Sequence, residues 1–265
     1  MFDEIAKTYD ETFTSTRVGK MLREMVWEYF YEILPQNTAL NILELNCGTG
    51  EDAIYFAKMG HRVTATDLSE QMIEVFNEKI KNSEFDSMIR ARTCDFRNIL
   101  DIEHPEKYDL VFSNFGGLNC VDTHDLKNLS SDLNRILNPN ARFIAVVMTR
   151  FCLWESLYFL AKINFANAFR RNTSKSLEVK LGNNIVNTWY YSPANWDLIF
   201  GKYFEKINMR PIGFFLPPSY LDPFFVNKPA LLSNLFSLDK KVFKIPSLAY
   251  ISDHFLMDMK MRPRS

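Results

Sequence analysis

The segment Asn41-Ile-Leu-Glu-Leu-Asn-Cys-Gly-Thr-Gly50 constrains this chain more than any other. It reads as a short buried strand running directly into a glycine turn. A second strand, Arg62-Val-Thr-Ala-Thr-Asp67, follows and ends on an acid. Glycines after one strand and a carboxylate at the tip of the next are how an open α/β sheet holds an adenosine-containing cofactor. Glycine lets backbone approach a ligand where a Cβ would intrude. A carboxylate accepts hydrogen bonds from both ribose hydroxyls.

The same alternation fills the first 150 residues. Apolar spacing predicts a helix over 18–34, closed by Pro35, and another over 51–59, ended by Gly60. A third follows over 70–82 with Ser69 as N-cap. Strands are expected at 89–94, 108–113 and 142–148, with a helix over 125–137. Strands alternating with helices imply a parallel sheet covered on both faces. After residue 150 the pattern loosens. Residues 153–170 read as an aromatic helix, and 176–181 and 184–191 as a hairpin about Gly182-Asn183. A helix over 194–205, a strand near 207–215 and a last strand over 252–260 complete the chain. Five prolines between residues 216 and 250 predict a loop-rich insertion.

These residues resemble the class I S-adenosylmethionine-dependent methyltransferases, closely over residues 1–150 and loosely beyond. Five motifs carry the resemblance: Glu44-Leu-Asn-Cys-Gly-Thr-Gly50, Asp67-Leu-Ser-Glu-Gln-Met72, Cys94-Asp95-Phe96, Asp109-Leu-Val-Phe-Ser-Asn-Phe115 and Leu137-Asn-Pro-Asn-Ala141. The opening Phe2-Asp-Glu-Ile-Ala-Lys-Thr-Tyr-Asp10 is similar to the leader of small-molecule and quinone-type members. Two positions depart from the family pattern: Asn46 stands at the first glycine, and Asn140-Ala141 replaces a Gly-Gly pair. Asparagine enters left-handed backbone more readily than other non-glycine residues, so the first turn can survive.

The resemblance implies a Rossmann-like α/β sheet of seven strands, mostly parallel with an antiparallel last strand and helices on both faces. It implies an N-terminal helical leader or lid over 1–40 and a cofactor core over 41–150. Covering insertions are expected at 151–191 and 216–250, and a return to the sheet at 192–215 and 251–265, all in one compact domain. The implied cofactor is S-adenosyl-L-methionine. Its candidate contacts are Tyr9, Arg17, Glu44, Asn46, Gly48, Gly50, Asp67, Leu68, Met72, Asp95, Phe96, Ser113, Asn114 and Phe115. Asp67 is the ribose acid, Asp95 meets the adenine amino group, and Glu44 meets the cofactor ammonium or the glycine-loop donors. Candidate acceptor contacts are Asn119, Trp154, Tyr158, Trp189 and Tyr191, with Phe159 and Tyr190 in the same aromatic set. An unpaired charge inside an apolar strand, as at Glu44, is costly; packing alone is the competing account of the aromatics.

Methyl transfer from a sulfonium needs alignment and exclusion of water. A phenol, enol or carbon acid also needs a base. His254, at the start of an antiparallel last strand, and His124, at a helix start after the fourth, are the candidates. The aromatic cover points to a small apolar, aromatic or lipid-like acceptor, with O-, N- or C-methylation open. A net charge of −1 argues against nucleic acid, and the four cysteines show no metal-type pairing, as in a reduced cytoplasmic protein. No metal is expected. Residues 1–20 carry acids and no apolar run, so no signal peptide is expected, and no stretch approaches ~18 uncharged apolar residues, so no integral membrane segment is expected. The chain is expected as a monomer or homodimer. A nicotinamide-dependent oxidoreductase and a non-catalytic scaffold of the same fold are the alternatives.

Overall fold

A computed structural model describes residues 6–10, 14–104, 106–181 and 184–263. A one-turn helix, α1 (Ala6–Tyr9), precedes α2 (Arg17–Ile33). The Thr16 hydroxyl caps α2 by accepting from the Gly19 N–H at 3.1 Å. Val18, Leu22, Met25, Val26, Tyr29 and Phe30 recur at helical spacing and are buried on one face. Leu34, held extended before Pro35, stops the helix.

Five strands then alternate with helices: β1 (Asn41–Leu45), α3 (Glu51–Lys58), β2 (Arg62–Asp67), α4 (Glu70–Ile80), β3 (Ile89–Thr93), β4 (Tyr108–Ser113), α5 (Thr123–Ile136) and β5 (Leu137–Met148). After α6 (Leu153–Ala161), α7 (Phe165–Ala168), a hairpin of β6 (Leu177–Leu181) and β7 (Asn184–Thr188), and α8 (Pro193–Phe200), the chain rejoins the sheet as β8 (Phe204–Ile212). It leaves again for α9 (Pro229–Val242) and returns as β9 (His254–Met261).

The sheet order is β3-β2-β1-β4-β5-β9-β8. Strands β1 to β5 pair in parallel, and β9 runs antiparallel to both β5 and β8. The seven-stranded Rossmann-like sheet with one reversed last strand is therefore as the sequence implied. The central strands alternate between two cores. Ile42, Leu110 and Phe112 face α2, α3 and α4, whereas Leu43, Leu45 and Val111 face α5 and α8.

The structure corrects three sequence expectations. The helix expected over 153–170 breaks at Ile163, whose backbone is left-handed (φ 57°), giving α6 and α7. The helix expected to reach residue 205 ends at Phe200, because residues from Phe204 pair with β9. Residues 216–250 are largely helical: 3-10 turns span Ser219–Phe225 and Pro246–Tyr250, and α9 lies between them. Pro229 occupies the first turn of α9, where its missing N–H costs nothing, so proline density misled the reading. The hairpin tip Gly182-Asn183 lies outside the described residues. β5 also begins earlier than expected, at Leu137. Asn140 adopts φ 65° and absorbs a register shift opposite Tyr108–Leu110.

Candidate functional site

The turns after β1 and β4 and the leader meet at a narrow cleft, lined in part by Tyr9, Arg23, Asn46, Gly48, Asp52 and Phe115. Its floor is the turn after β1. Asn46, Gly48 and Gly50 all take positive φ there (48°, 54° and 85°). Gly48 lies open to the cleft, where an added Cβ would meet the Tyr9 ring at 3.6 Å. Gly50 serves packing instead: a Cβ there would overlap the Phe76 ring at 2.0 Å. Asn46 fills the first glycine position and uses its side chain. Its Nδ2 donates to the Asn114 carbonyl at 2.9 Å, and its Oδ1 accepts from the Ser113 hydroxyl at 2.6 Å. The amide thus ties the β1 turn to the β4 turn. Gly117 leaves room for it, since a Cβ on that residue would sit 2.1 Å from Asn46 Cγ.

Asp67, at the tip of β2, is buried. Its Oδ2 accepts from the Gly48 N–H at 2.8 Å and its Oδ1 from the Ser69 N–H at 2.9 Å. A carboxylate has about four acceptor sites, the number that two backbone donors and a ribose diol together would use. Met72 is buried behind it, whereas Leu68 is exposed at the rim.

Glu44 is 1% exposed. One Glu44 oxygen accepts from the Ala53 N–H in the first turn of α3, while Oε2 is buried without a partner. Burial, reinforced by Asp52 and opposed by Arg23, pushes its carboxyl well above the usual range. Asp52 accepts from Trp27 Nε1 at 2.7 Å and from Asn114 Nδ2 at 2.9 Å, and lies 3.5 Å from Arg23 Nε. Asp52, Asp67 and Glu51 stand about the glycine turn with the Glu44 carboxyl behind it, against Arg23 and against Lys79, which donates to the Thr49 carbonyl at 3.1 Å. That balance suits a cationic ligand. The orphan Glu44 oxygen is where an ammonium would be received, so these residues fit S-adenosylmethionine, which carries both a sulfonium and an ammonium.

Because the Glu44 carboxyl is raised on folding, its stabilising contribution is complete at acid pH and is lost as pH climbs through the shifted value. Glu44→Gln should therefore melt higher than the wild type at pH 8, with the gap closing towards pH 5. The same variant should bind S-adenosylhomocysteine about tenfold more weakly, the worth of one charge-assisted hydrogen bond. Thermal melting across pH and calorimetric titration read the two opposite signs; unchanged affinity would remove Glu44 from the cofactor contacts.

The leader reaches the cleft. Tyr9 lies against Gly48, and burial raises its phenol to about 12. Asp10 latches α1 down: it sits 2.5 Å from Lys79 Nζ on α4 and accepts from the Thr49 hydroxyl at 2.5 Å. Arg17 points elsewhere, donating to the Val226 carbonyl at 3.2 Å from an exposed position. At the tip of β3, Asp95 caps the following 3-10 turn and is held by Arg97 Nε at 2.8 Å, with Phe96 half-buried beside it. An adenine amino group would share that carboxylate with Arg97.

On the acceptor side, Phe115 takes φ 41° after β4, strained for a bulky residue. Its ring lies edge-on to His254 at 5.5 Å, and Arg23 stands over it at 5.7 Å. His254 therefore reaches the cofactor edge, as an antiparallel β9 requires. Its Nδ1 lies 3.1 Å from Asp253 Oδ2. Burial alone would raise the Asp253 carboxyl; His254 and Arg171 outweigh it and hold it well below the usual carboxylate range. His124 is exposed on the first turn of α5, where Asp122 caps the helix, and it contacts Asn128 at 3.3 Å.

The aromatic set divides. Asn119 is fully buried and spends its amide on backbone: Nδ2 donates to the Met148 and Trp189 carbonyls, and Oδ1 accepts from the Met148 N–H. Tyr191 is buried and donates to the Val121 carbonyl at 2.5 Å. Both act as struts in this arrangement. Trp154 donates to the Phe215 carbonyl, tying α6 to the segment after β8, and Tyr158 contacts Phe159 and Lys162. Trp189 is partly buried against the α5–α8 core, and Tyr190 lies under Arg171. Sequence reading did not single out Arg23 or Asp52. An acid in the first turn after the glycines was the available signal for Asp52.

Residues 42–140 match the family described as a methyltransferase domain. The chain is 30% identical over 145 residues to a demethylmenaquinone methyltransferase of Clavibacter sepedonicus, covering 54% of this chain and 55% of that relative. It spans a little over half the length of the curated relatives it matches. Among solved structures, the CcbJ methyltransferase from Streptomyces caelestis is similar with a TM-score of 0.64 at 15% identity, covering 98% of this chain and 97% of that one. A putative S-adenosylmethionine-dependent methyltransferase from Listeria monocytogenes has a TM-score of 0.60 at 14% identity, covering 91% and 100%. At such identity these two establish the fold. Residues 42–140, which hold the glycine turn and the acid-tipped β2, are thus a methyltransferase domain, and the chain as a whole takes the fold of the S-adenosylmethionine-dependent methyltransferases it resembles.

Proposed function

We propose that this chain transfers a methyl group from S-adenosylmethionine to a small apolar or aromatic acceptor held between the strand tips and the segments that follow β5 and β8. The observation that carries the cofactor choice is the acidic cleft. Glu51 and Asp52 line it and Asp67 holds the Gly48 N–H, which favours a cation and opposes the pyrophosphate of a nicotinamide dinucleotide. Gly48-Thr-Gly50-Glu-Asp-Ala53 has the spacing of the dinucleotide fingerprint with alanine at its third position, so charge and not spacing separates the two cofactors. Titration with S-adenosylhomocysteine and with NAD separates the two: micromolar binding of NAD alone would overturn the proposal.

A quinol-type or phenolic acceptor is supported by the demethylmenaquinone methyltransferases among the relatives and by the Phe115–His254 pair. Bound cofactor supplies the electrophilic methyl; the chain aligns the acceptor, excludes water and takes its proton. His254 is the base in this reading, with the Asp253 carboxylate 3.1 Å from its Nδ1 and placed to stabilise the protonated ring. Methyl transfer from labelled S-adenosylmethionine to hydroxynaphthoquinols, phenols and amines is the direct test. With a phenolic acceptor, His254→Gln should lower kcat about a hundredfold and remove the acid limb of the pH profile, leaving cofactor affinity unchanged. An unaltered kcat would return His254 to a packing role, and transfer only to amines would replace the acceptor class.

A further inference from the structure

We infer that the α6–α7 corner and the adjoining 3-10 turn Ser219–Phe225 form a docking face for an anionic lipid bilayer. This goes beyond methyl transfer, and its test is independent of catalysis. The observation is a cluster of large apolar side chains turned to solvent. Ile163 is 79% exposed, Phe165 64% and Phe169 50%, with Phe224 at 61% and Val226 at 55% on the neighbouring segment. Lys162 joins the two segments, its ammonium lying 4.5 Å from the Tyr158 ring and 5.8 Å from the Phe224 ring. Scattered apolar residues need no explanation; a linked group of this size does.

Ile163 adds a second cost. Its φ of 57° places a β-branched residue in the left-handed region, where glycine or asparagine would sit with little strain. A turn residue that is both strained and almost fully exposed gains nothing for the fold from being isoleucine. An apolar tip is of use only where there is an apolar phase to receive it.

Charge selects the occupant. Residues 150–175 hold five Lys or Arg against one Glu, in a chain of net charge −1. Arg171 is buried against Glu155 and Asp253, and Arg170 is paired with Glu155. Lys162 and Lys175 are left exposed, with Lys228 exposed beyond the 3-10 turn. Lys162 stands within the apolar group and Lys228 just beyond the 3-10 turn, whose one acid, Asp222, is turned to the Val18 N–H at 2.9 Å; apolar side chains beside exposed lysines are the composition that seats a peripheral protein at an anionic interface. Among the described residues no helix is long and apolar enough to cross a membrane, so the contact is a shallow one. The face adjoins the segment tied down by Trp154, so docking would bring the bilayer next to the proposed acceptor side.

The test is co-sedimentation of the full chain with phosphatidylcholine vesicles, with and without phosphatidylglycerol, at about 0.1 M salt. Binding should require the anionic lipid and weaken on raising salt. Ile163→Asp and Phe165→Asp should each reduce partitioning about tenfold, with the affinity for S-adenosylhomocysteine unchanged as proof of fold. Ile163→Gly should weaken vesicle binding while raising the melting temperature by about 2–4 °C, because it relieves the strained φ. Absence of wild-type binding, or equal binding by the aspartate variants, would overturn the inference. So would a dimer in sedimentation velocity that Phe165→Asp converts to monomer, since a second copy would then be the occupant.

Discussion

Replacing Asp67 by alanine is expected to weaken S-adenosylhomocysteine binding by about 10²- to 10⁴-fold. Hydrogen bonds to a charged acceptor contribute about 1.5–3 kcal/mol each, and two ribose hydroxyls would be lost together. The variant also releases the Gly48 and Ser69 N–H groups that the carboxylate now holds, so the glycine turn loses its anchor to β2. Asp67→Asn keeps one acceptor oxygen and should lie between the two. Calorimetric titration of the three proteins, each checked for an unchanged far-ultraviolet spectrum, reads the series. Micromolar binding by the alanine variant would mean that Asp67 only braces the turn.

Asp258→Ala should cost about 3–5 kcal/mol of folding stability, the scale for removing one partner of a buried charge pair. Asp258 is fully buried in the middle of β9. It accepts from the Tyr29 hydroxyl at 2.5 Å and from Arg142 through Nε at 3.0 Å and through Nη2. One carboxylate therefore joins α2, β5 and β9. Its removal leaves the buried Tyr29 hydroxyl without its acceptor and the part-buried Arg142 guanidinium without its counter-charge. Tyr29→Phe removes a single bond and should cost about 1.5–3 kcal/mol. Urea denaturation of both variants gives the comparison; a loss under 1 kcal/mol for Asp258→Ala would show that water replaces the carboxylate.

Much of the fold was legible because it is written locally. β2 and β4 end where their alternation ends, and Ser69 caps α4 from the predicted position. A buried parallel strand, a glycine turn and a capped helix each follow from a few consecutive side chains. The readings that failed depended on contacts distant in sequence. Prolines within 216–250 marked turns correctly, but the burial of Leu232 and Asp239 that fixes α9 was invisible. Asp239 accepts from the consecutive N–H groups of Phe214, Phe215 and Leu216, a partnership some 25 residues long in sequence. The break at Ile163 is marked in the sequence only by Asn164, whose side chain caps α7 by accepting from the Asn167 N–H at 3.2 Å.

The sequence by itself determined the strand–helix alternation, the glycine turn after β1, the acid at the tip of β2 and hence the kind of cofactor the sheet edge can take. These follow from backbone freedom and hydrophobic period, which act within a few residues. Only the tertiary structure decided that Glu44 is left with an orphan oxygen beside Asp52. It also decided that Asn46 is a strut between two turns, that Asn119 and Tyr191 are spent on backbone, and that His254 meets Phe115. Those outcomes depend on which hydrogen-bond partners remain once distant segments have packed, and burial makes every polar group find a partner or bear its loss.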